Sequence, residues 1–172
     1  MLLNDLKKRT AAGNPIRVAA SGAGWMGSGF AAQMGHVPGM ELSVLVDADL
    51  QAACEAFTAT GLDRGDVVEA ALVGPAMDAI RQGKRVITDD ISLAAQLEAI
   101  DVLTDATPSP ASGAETAYAA ISHGKDVVLI NIEADVTVGR ALKKLAANAG
   151  VLYSVSSGDG PGCLMELYDF VT

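Results

Sequence analysis

Short apolar runs alternate along the chain with longer segments whose apolar residues recur at helical spacing, and Gly, Asp or Ser marks most of the changes. The pattern predicts an opening helix over Leu2–Ala12, broken at Gly13-Asn14-Pro15, a first strand over Ile16–Ser21 and a helix over Trp25–Gln33. A second strand follows over Met40–Asp47, carrying apolar Leu42, Val44, Leu45 and Val46. In the segment ADLQAACEAFTATG, Asp49 is placed to cap a helix. Leu50, Ala53, Cys54 and Phe57 then share one face at i, i+3, i+4 and i+7, and Gly61 suits the position past the helix end.

Residues 62–83 read as a connecting segment and a helix over Pro75–Gln82 closed by Gly83. Further strands are expected at Arg85–Thr88, Val102–Asp105, Val127–Ile130 and Val151–Val155. Between them, Ser112 and Glu115 have the spacing of a capping box for a helix that Gly124 ends. A last helix over Gly139–Ala149 sets Leu142, Leu145, Ala146 and Ala149 on one stripe before Gly150. Six strands alternating with helices require crossover connections. The expectation is therefore an α/β fold: a doubly wound, mostly parallel sheet of the Rossmann type in three α/β/α layers, formed by residues 1–172 as one domain.

Composition agrees with this class: half of the 172 residues are apolar and only 4% are aromatic, which suits helices packed closely on a sheet. The net charge of −9 argues against nucleic acid or anionic lipid as partner, and the densest basic cluster, Lys7-Lys8-Arg9, reads as a solvated helix face. Cys54 and Cys163 have no metal-binding spacing and read as reduced, buried thiols. No apolar run approaches the ~20 residues of a membrane span, and MLLNDLKKRT lacks the uninterrupted apolar core of a signal peptide, so a cytoplasmic protein without membrane contact is expected.

The stretch RVAASGAGWMGSGF carries the chemistry. Gly22-Ala23-Gly24-Trp25-Met26-Gly27 is a GxGxxG directly after the first expected strand and at the start of a helix. There, Gly22 permits a tight turn, Gly24 clears the backbone for a pyrophosphate, and Gly27 lets helix and strand approach, while the helix N-terminus offers free N–H groups to the phosphates. Asp47 stands twenty positions after Gly27, the spacing at which a carboxylate reaches the ribose hydroxyls of an adenosine, and no Lys or Arg occurs from Ala48 to Asp63 to accept a 2′-phosphate. The residues thus point to an NAD(P) cofactor with NAD favoured by Asp47; the alternative for Asp47 is a helix cap.

Ligands of such sheets lie beyond the carboxyl ends of the strands. That rule selects Ala106-Thr107-Pro108 as a further cofactor-lining loop, and the loops that begin at Asn131 and at Ser156. Asn131 and Glu133, with Asp159 in the glycine-rich loop, are the candidate catalytic residues; the carboxylates suit orienting a substrate, acid–base work, or holding a hard metal ion. Asp135 is a weaker candidate, since Asp135 or Thr137 suits a helix cap equally well. His36 and His123 sit near expected helix ends, where a dipole contact accounts for them.

The combination of IRVAASGAGWMGSG, GKDVVLINIEADVTVG and SSGDGPGCLMELYDF resembles the N-terminal domain of the homoserine-dehydrogenase-like oxidoreductases that often carry a SAF domain, including the 1-deoxy-D-xylulose 5-phosphate reductoisomerase-like enzymes. The resemblance spans nearly the whole chain. It implies a Rossmann domain that binds NAD(P)H for hydride transfer to or from a small polar carbonyl or hydroxyl substrate, with Gly22, Gly24 and Gly27 in the cofactor loop and Asn131, Glu133 and Asp159 facing the cleft. The reductoisomerase-like members use NADPH, whereas Asp47 favours NAD. Relatives continue past the position of Thr172 into a substrate-binding and oligomerising domain. The expectation is therefore a cofactor platform, incomplete for catalysis alone, from a parent that forms homo-oligomers. The competing reading is a non-catalytic dinucleotide-binding or sensing module.

Overall fold

The computed structural model describes residues 2–158 and 160–171. Seven strands, β1 (Ile16–Ser21), β2 (Met40–Val46), β3 (Val67–Glu69), β4 (Arg85–Thr88), β5 (Val102–Asp105), β6 (Asp126–Leu129) and β7 (Tyr153–Val155), form one sheet. All pairings are parallel, in the order β3-β4-β2-β1-β5-β6-β7. The expected doubly wound α/β/α architecture is present, with strand order reversing between β1 and β5.

Alternation along the strands divides the core into two layers. Ala19, Val44, Val46, Val86, Leu103, Val127 and Leu129 join the cluster on one face. That face carries α4 (Val73–Arg81), α5 (Ile91–Gln96), α6 (Pro110–Ser122) and α7 (Ile132–Ala149). Val18, Ala20, Leu45 and Ile87 point to the other face, where α2 (Trp25–Met34) and α3 (Leu50–Thr58) pack. One residue, Ser43, is extra in β2, because Val18 pairs with Leu42 and Ala19 with Val44; its buried hydroxyl donates to Glu41 at 2.7 Å.

Asp49 caps α3 as expected, accepting from the Gln51 and Ala52 amides, and Ala53, Cys54 and Phe57 are buried beneath it. Helix α1 (Leu2–Ala11) also matches; it buries only Leu6, and its basic residues are exposed. His123 ends α6 as expected, its Nδ1 lying 2.9 Å from the Ala119 carbonyl.

Several elements differ from expectation. The sheet has seven strands because β3 adds to the outer edge of β4; three residues, the last of them Glu69, are too few to carry a periodic signal, and the β4 edge defines them. Helix α4 starts at Val73, two residues before Pro75, since proline is tolerated throughout a first turn. Ser112 and Glu115 form no capping box: Ser109 is the cap, Pro110 opens α6, and the Ser112 amide donates to Ser109 Oγ at 3.2 Å.

Helix α7 starts at Ile132 rather than Gly139, with Asn131 as its cap. The run of Val136, Thr137 and Val138 lowers helix propensity, but packing against α6 overrides it. Its buried residues are Ala134, Gly139, Leu142 and Ala146, while Leu145 and Ala149 are exposed. Of the cysteines, Cys54 is buried but Cys163 is exposed, on α8 (Gly160–Val171).

Candidate functional site

Beyond the carboxyl end of the sheet, where strand order reverses, lies a cleft of about 550 Å³. Gly22, Gly24, Trp25, Met26 and Asp47 line it from the β1 and β2 side, and Ala106, Thr107, Pro108, Asn131 and Glu133 from the β5 and β6 side. Segments far apart in the chain converge there because parallel strands all deliver their following loops to one edge.

The glycines occupy distinct environments. Gly22 has φ +94°, and a Cβ on it would press to about 3.0–3.1 Å against Thr107 and Ala106. A Cβ on Gly27 would collide with the Gly22 carbonyl oxygen, so helix and turn touch with no room for a side chain. Gly24 faces open space, with nothing within 4 Å of a Cβ position. It is also the N-cap of α2, and no side chain caps that helix. The first turn of α2 therefore presents uncapped amide hydrogens to the cleft, the arrangement that holds an anion. Trp25, 89% exposed, and Met26 stand at its rim.

Asp47 is tied into this turn. Its Oδ2 accepts from the Ala23 amide at 2.6 Å and its Oδ1 from the Asp49 amide at 2.8 Å. The capping of α3 falls to Asp49, which leaves Asp47 at the cleft. A carboxylate has about four acceptor positions, so two remain on Asp47 for a ligand. A neighbouring recess of about 310 Å³ is lined by Asp47, Asp89, Asp90 and Glu115, with no Lys or Arg in its lining.

On the opposite side, Asp105, which sequence reasoning missed, organises the wall. Its carboxylate is 0% exposed. Oδ1 accepts from the Thr107 amide (3.1 Å), the Thr107 hydroxyl (2.8 Å) and Asn131 Nδ2 (2.9 Å), and Oδ2 from the Thr116 hydroxyl (3.1 Å). Asn131 also donates to the Ser109 carbonyl at 2.8 Å and accepts from the Ala134 amide at 2.9 Å. Its amide is thus engaged within the protein, and it is 2% exposed.

Glu133 is exposed in the first turn of α7, at the cleft, where the helix dipole favours a negative charge. Asp135 is turned away from it. Its Oδ1 accepts from the Tyr153 hydroxyl at 2.7 Å in a crevice between α7 and β7. Burial first, then this hydrogen bond and the Asp135 charge, raises the Tyr153 pKa well above the ordinary tyrosine range. Thr137 caps nothing; its hydroxyl donates to the Glu133 carbonyl at 2.6 Å. Asp159 lies outside the described residues. Among the described residues no group of three or more His, Cys, Asp or Glu is arranged to hold a metal ion, and no helix is long and apolar enough to cross a membrane.

No family model matches the chain, and no curated protein does. Solved structures do share its fold. GenD2 from gentamicin A biosynthesis, in complex with NAD, is 22% identical, with a TM-score of 0.59 over 83% of this chain and 34% of its own. Biliverdin reductase from Synechocystis sp. PCC 6803, in complex with biliverdin and NADP+, is 19% identical, with a TM-score of 0.60 over 83% and 38%. Scyllo-inositol dehydrogenase from Lactobacillus casei, with NAD(H) and scyllo-inositol, is 14% identical, with a TM-score of 0.60 over 83% and 36%. The chain therefore has a Rossmann-type fold shared with NAD(P)-binding oxidoreductases. It spans about a third of the length of these three structures.

Proposed function

We propose that this chain is the NAD(P)-binding domain of an oxidoreductase, with NAD preferred. One observation carries the reading: an uncapped helix N-terminus, cleared by Gly24 and closed by the Gly27–Gly22 contact, faces the cleft beside an Asp47 that retains free acceptor positions. Residues of this kind fit a dinucleotide, with the pyrophosphate on the first turn of α2 and the adenosine ribose on Asp47. The carboxylates of the adjoining recess oppose a 2′-phosphate by like charge. The likeness to structures solved with NAD or NADP+ supports the cofactor class.

Bound in this cleft, a nicotinamide would supply or accept hydride at the carbon of a small polar carbonyl or hydroxyl compound. Glu133 is the residue placed to move the accompanying proton at the substrate oxygen, with Asp159 the second candidate. Asn131 serves as a positioning residue, because its amide holds the Thr107 wall and the start of α7 in register. Ala106, Thr107 and Pro108 form the wall against the nicotinamide half. The homoserine-dehydrogenase-like resemblance names the parent family in this proposal, with the substrate domain and oligomer contacts supplied by the full-length protein.

Calorimetric titration of the chain with NADH and with NADPH tests the reading. NADH is expected to bind at least about tenfold more tightly, a difference of about 1.4 kcal/mol. Failure of both to bind removes the cofactor assignment, and tighter NADPH binding removes the preference.

A further inference from the structure

The two faces of the sheet are not equally covered. Helices pack over β5, β6 and β7 on the α6 and α7 side, but on the α2 side an apolar trough of about 560 Å³ runs along β5 and β6. Val102, Thr104, Val128 and Ile130 form its floor, Phe30 of α2 one flank, and Ser156 its end. Parallel sheets are built to be covered on both faces. The trough has few polar groups to orient a small molecule, Thr104 and Ser156 among an otherwise apolar lining, which favours a helix over a ligand as its occupant.

The chain carries a helix of matching character. In α8, Leu164, Leu167 and Val171 stand exposed on one stripe, completed by Tyr168, at i, i+3, i+4 and i+7. Glu166 and Asp169 fall on the opposite face. Leu164 to Val171 spans about 10 Å of helix, and the floor from the level of Val102 to that of Ile130 about 13 Å of strand. Only four residues separate the end of β7 from α8, and the first of them, Ser156, already lines the trough. So short a tether gives α8 a high effective concentration at this groove.

We propose that the trough is the docking groove of the chain's own α8, which closes into it through the Leu164–Leu167–Tyr168–Val171 stripe and completes the second helical layer. The inference is independent of any cofactor.

A disulfide trap tests it in the 172-residue chain. With Cys163→Ser removing the exposed thiol, Val128→Cys and Leu167→Cys are introduced together and mildly oxidised. The expected product is a monomer with an intrachain disulfide reversed by reductant. Disulfide-linked dimers would assign the groove to a second copy, and two thiols left free to alkylation would mean that α8 does not dock; either overturns the proposal. A second measurement needs no cysteines. If α8 docks, Leu164→Asp with Leu167→Asp lowers the urea midpoint by about 1 M and red-shifts the emission of Trp25, the single tryptophan, at the trough rim. At residues as exposed as these are in the structure (68% and 60%), the same changes are otherwise nearly silent. An unchanged midpoint and spectrum would overturn the proposal as well.

Discussion

Asn131 Nδ2 lies 2.9 Å from Asp105 Oδ1, so a buried carboxylate at the end of β5 is joined to the residue that caps α7. The pair binds three separate segments, since Asp105 also holds Thr107 and Thr116.

Asn131→Ala removes a helix cap and leaves one Asp105 acceptor position unpaired in the interior. The expected loss is about 3 kcal/mol in urea unfolding, from about 1 for the cap and 1–3 for the unmet group. Asn131→Asp should be at least as harmful, because it sets two carboxylates against each other without solvent.

Gly24 and Gly27 should separate ligand binding from folding. Gly24→Val places a side chain in open space at ordinary backbone angles, so the melting temperature stays near wild type while NADH affinity falls more than about tenfold. Gly27→Ala forces a methyl group into the Gly22 carbonyl, and both stability and binding drop. Calorimetry and thermal melts on the two variants read the contrast.

Asp47→Asn keeps the side chain's size but loses its charge. NADH binding is expected to weaken by about 1.5–3 kcal/mol, the value of a hydrogen bond to a charged group, while NADPH loses less because a repulsion is relieved. The ratio of the two dissociation constants is the readout.

Tyr153 ionises late. Its folded pKa is raised, so the fold favours the neutral phenol. That contribution to stability is complete below the ordinary tyrosine value of about 10 and is lost as pH climbs through the higher folded value. The phenolate difference spectrum between wild type and Tyr153→Phe should appear only above that ordinary value. Asp135→Asn should move it down part of the way, since burial, the largest cause, remains. Gly139 belongs to the same device: a Cβ there would collide with Asp135 and Tyr153, so Gly139→Ala should shift the same spectrum.

The turn at Gly22–Gly27, the position of Asp47 and the α3 cap were legible in the sequence because each is a local signal whose partners lie close in the chain or at a fixed spacing. Strand β3 was not, because two valines are too short a run to show a period, nor were the first two turns of α7, where Val136, Thr137 and Val138 disfavour a helix; neighbouring elements decide both. Asp105 was hidden for a related reason. As the last residue of the expected strand Val102–Asp105 it carried no motif of its own, and its donors come from residues 107, 116 and 131, which only folding brings together. Asp135 shows the converse: proximity to Glu133 in sequence suggested a shared site, but helical geometry rotates it toward β7.

The reversal of strand order leaves a seam. Strands β1 to β4 come from residues 16–88 and strands β5 to β7 from residues 102–155, and within the sheet the two groups meet only where β1 pairs with β5. The cleft straddles that junction, taking Gly22 and Asp47 from one side and Thr107 and Glu133 from the other. A molecule that fills it sutures the halves together. At a hundred times its dissociation constant such a suture adds about 2.7 kcal/mol against unfolding, and slowed amide exchange should then spread through both halves of the sheet rather than stay beside the ligand.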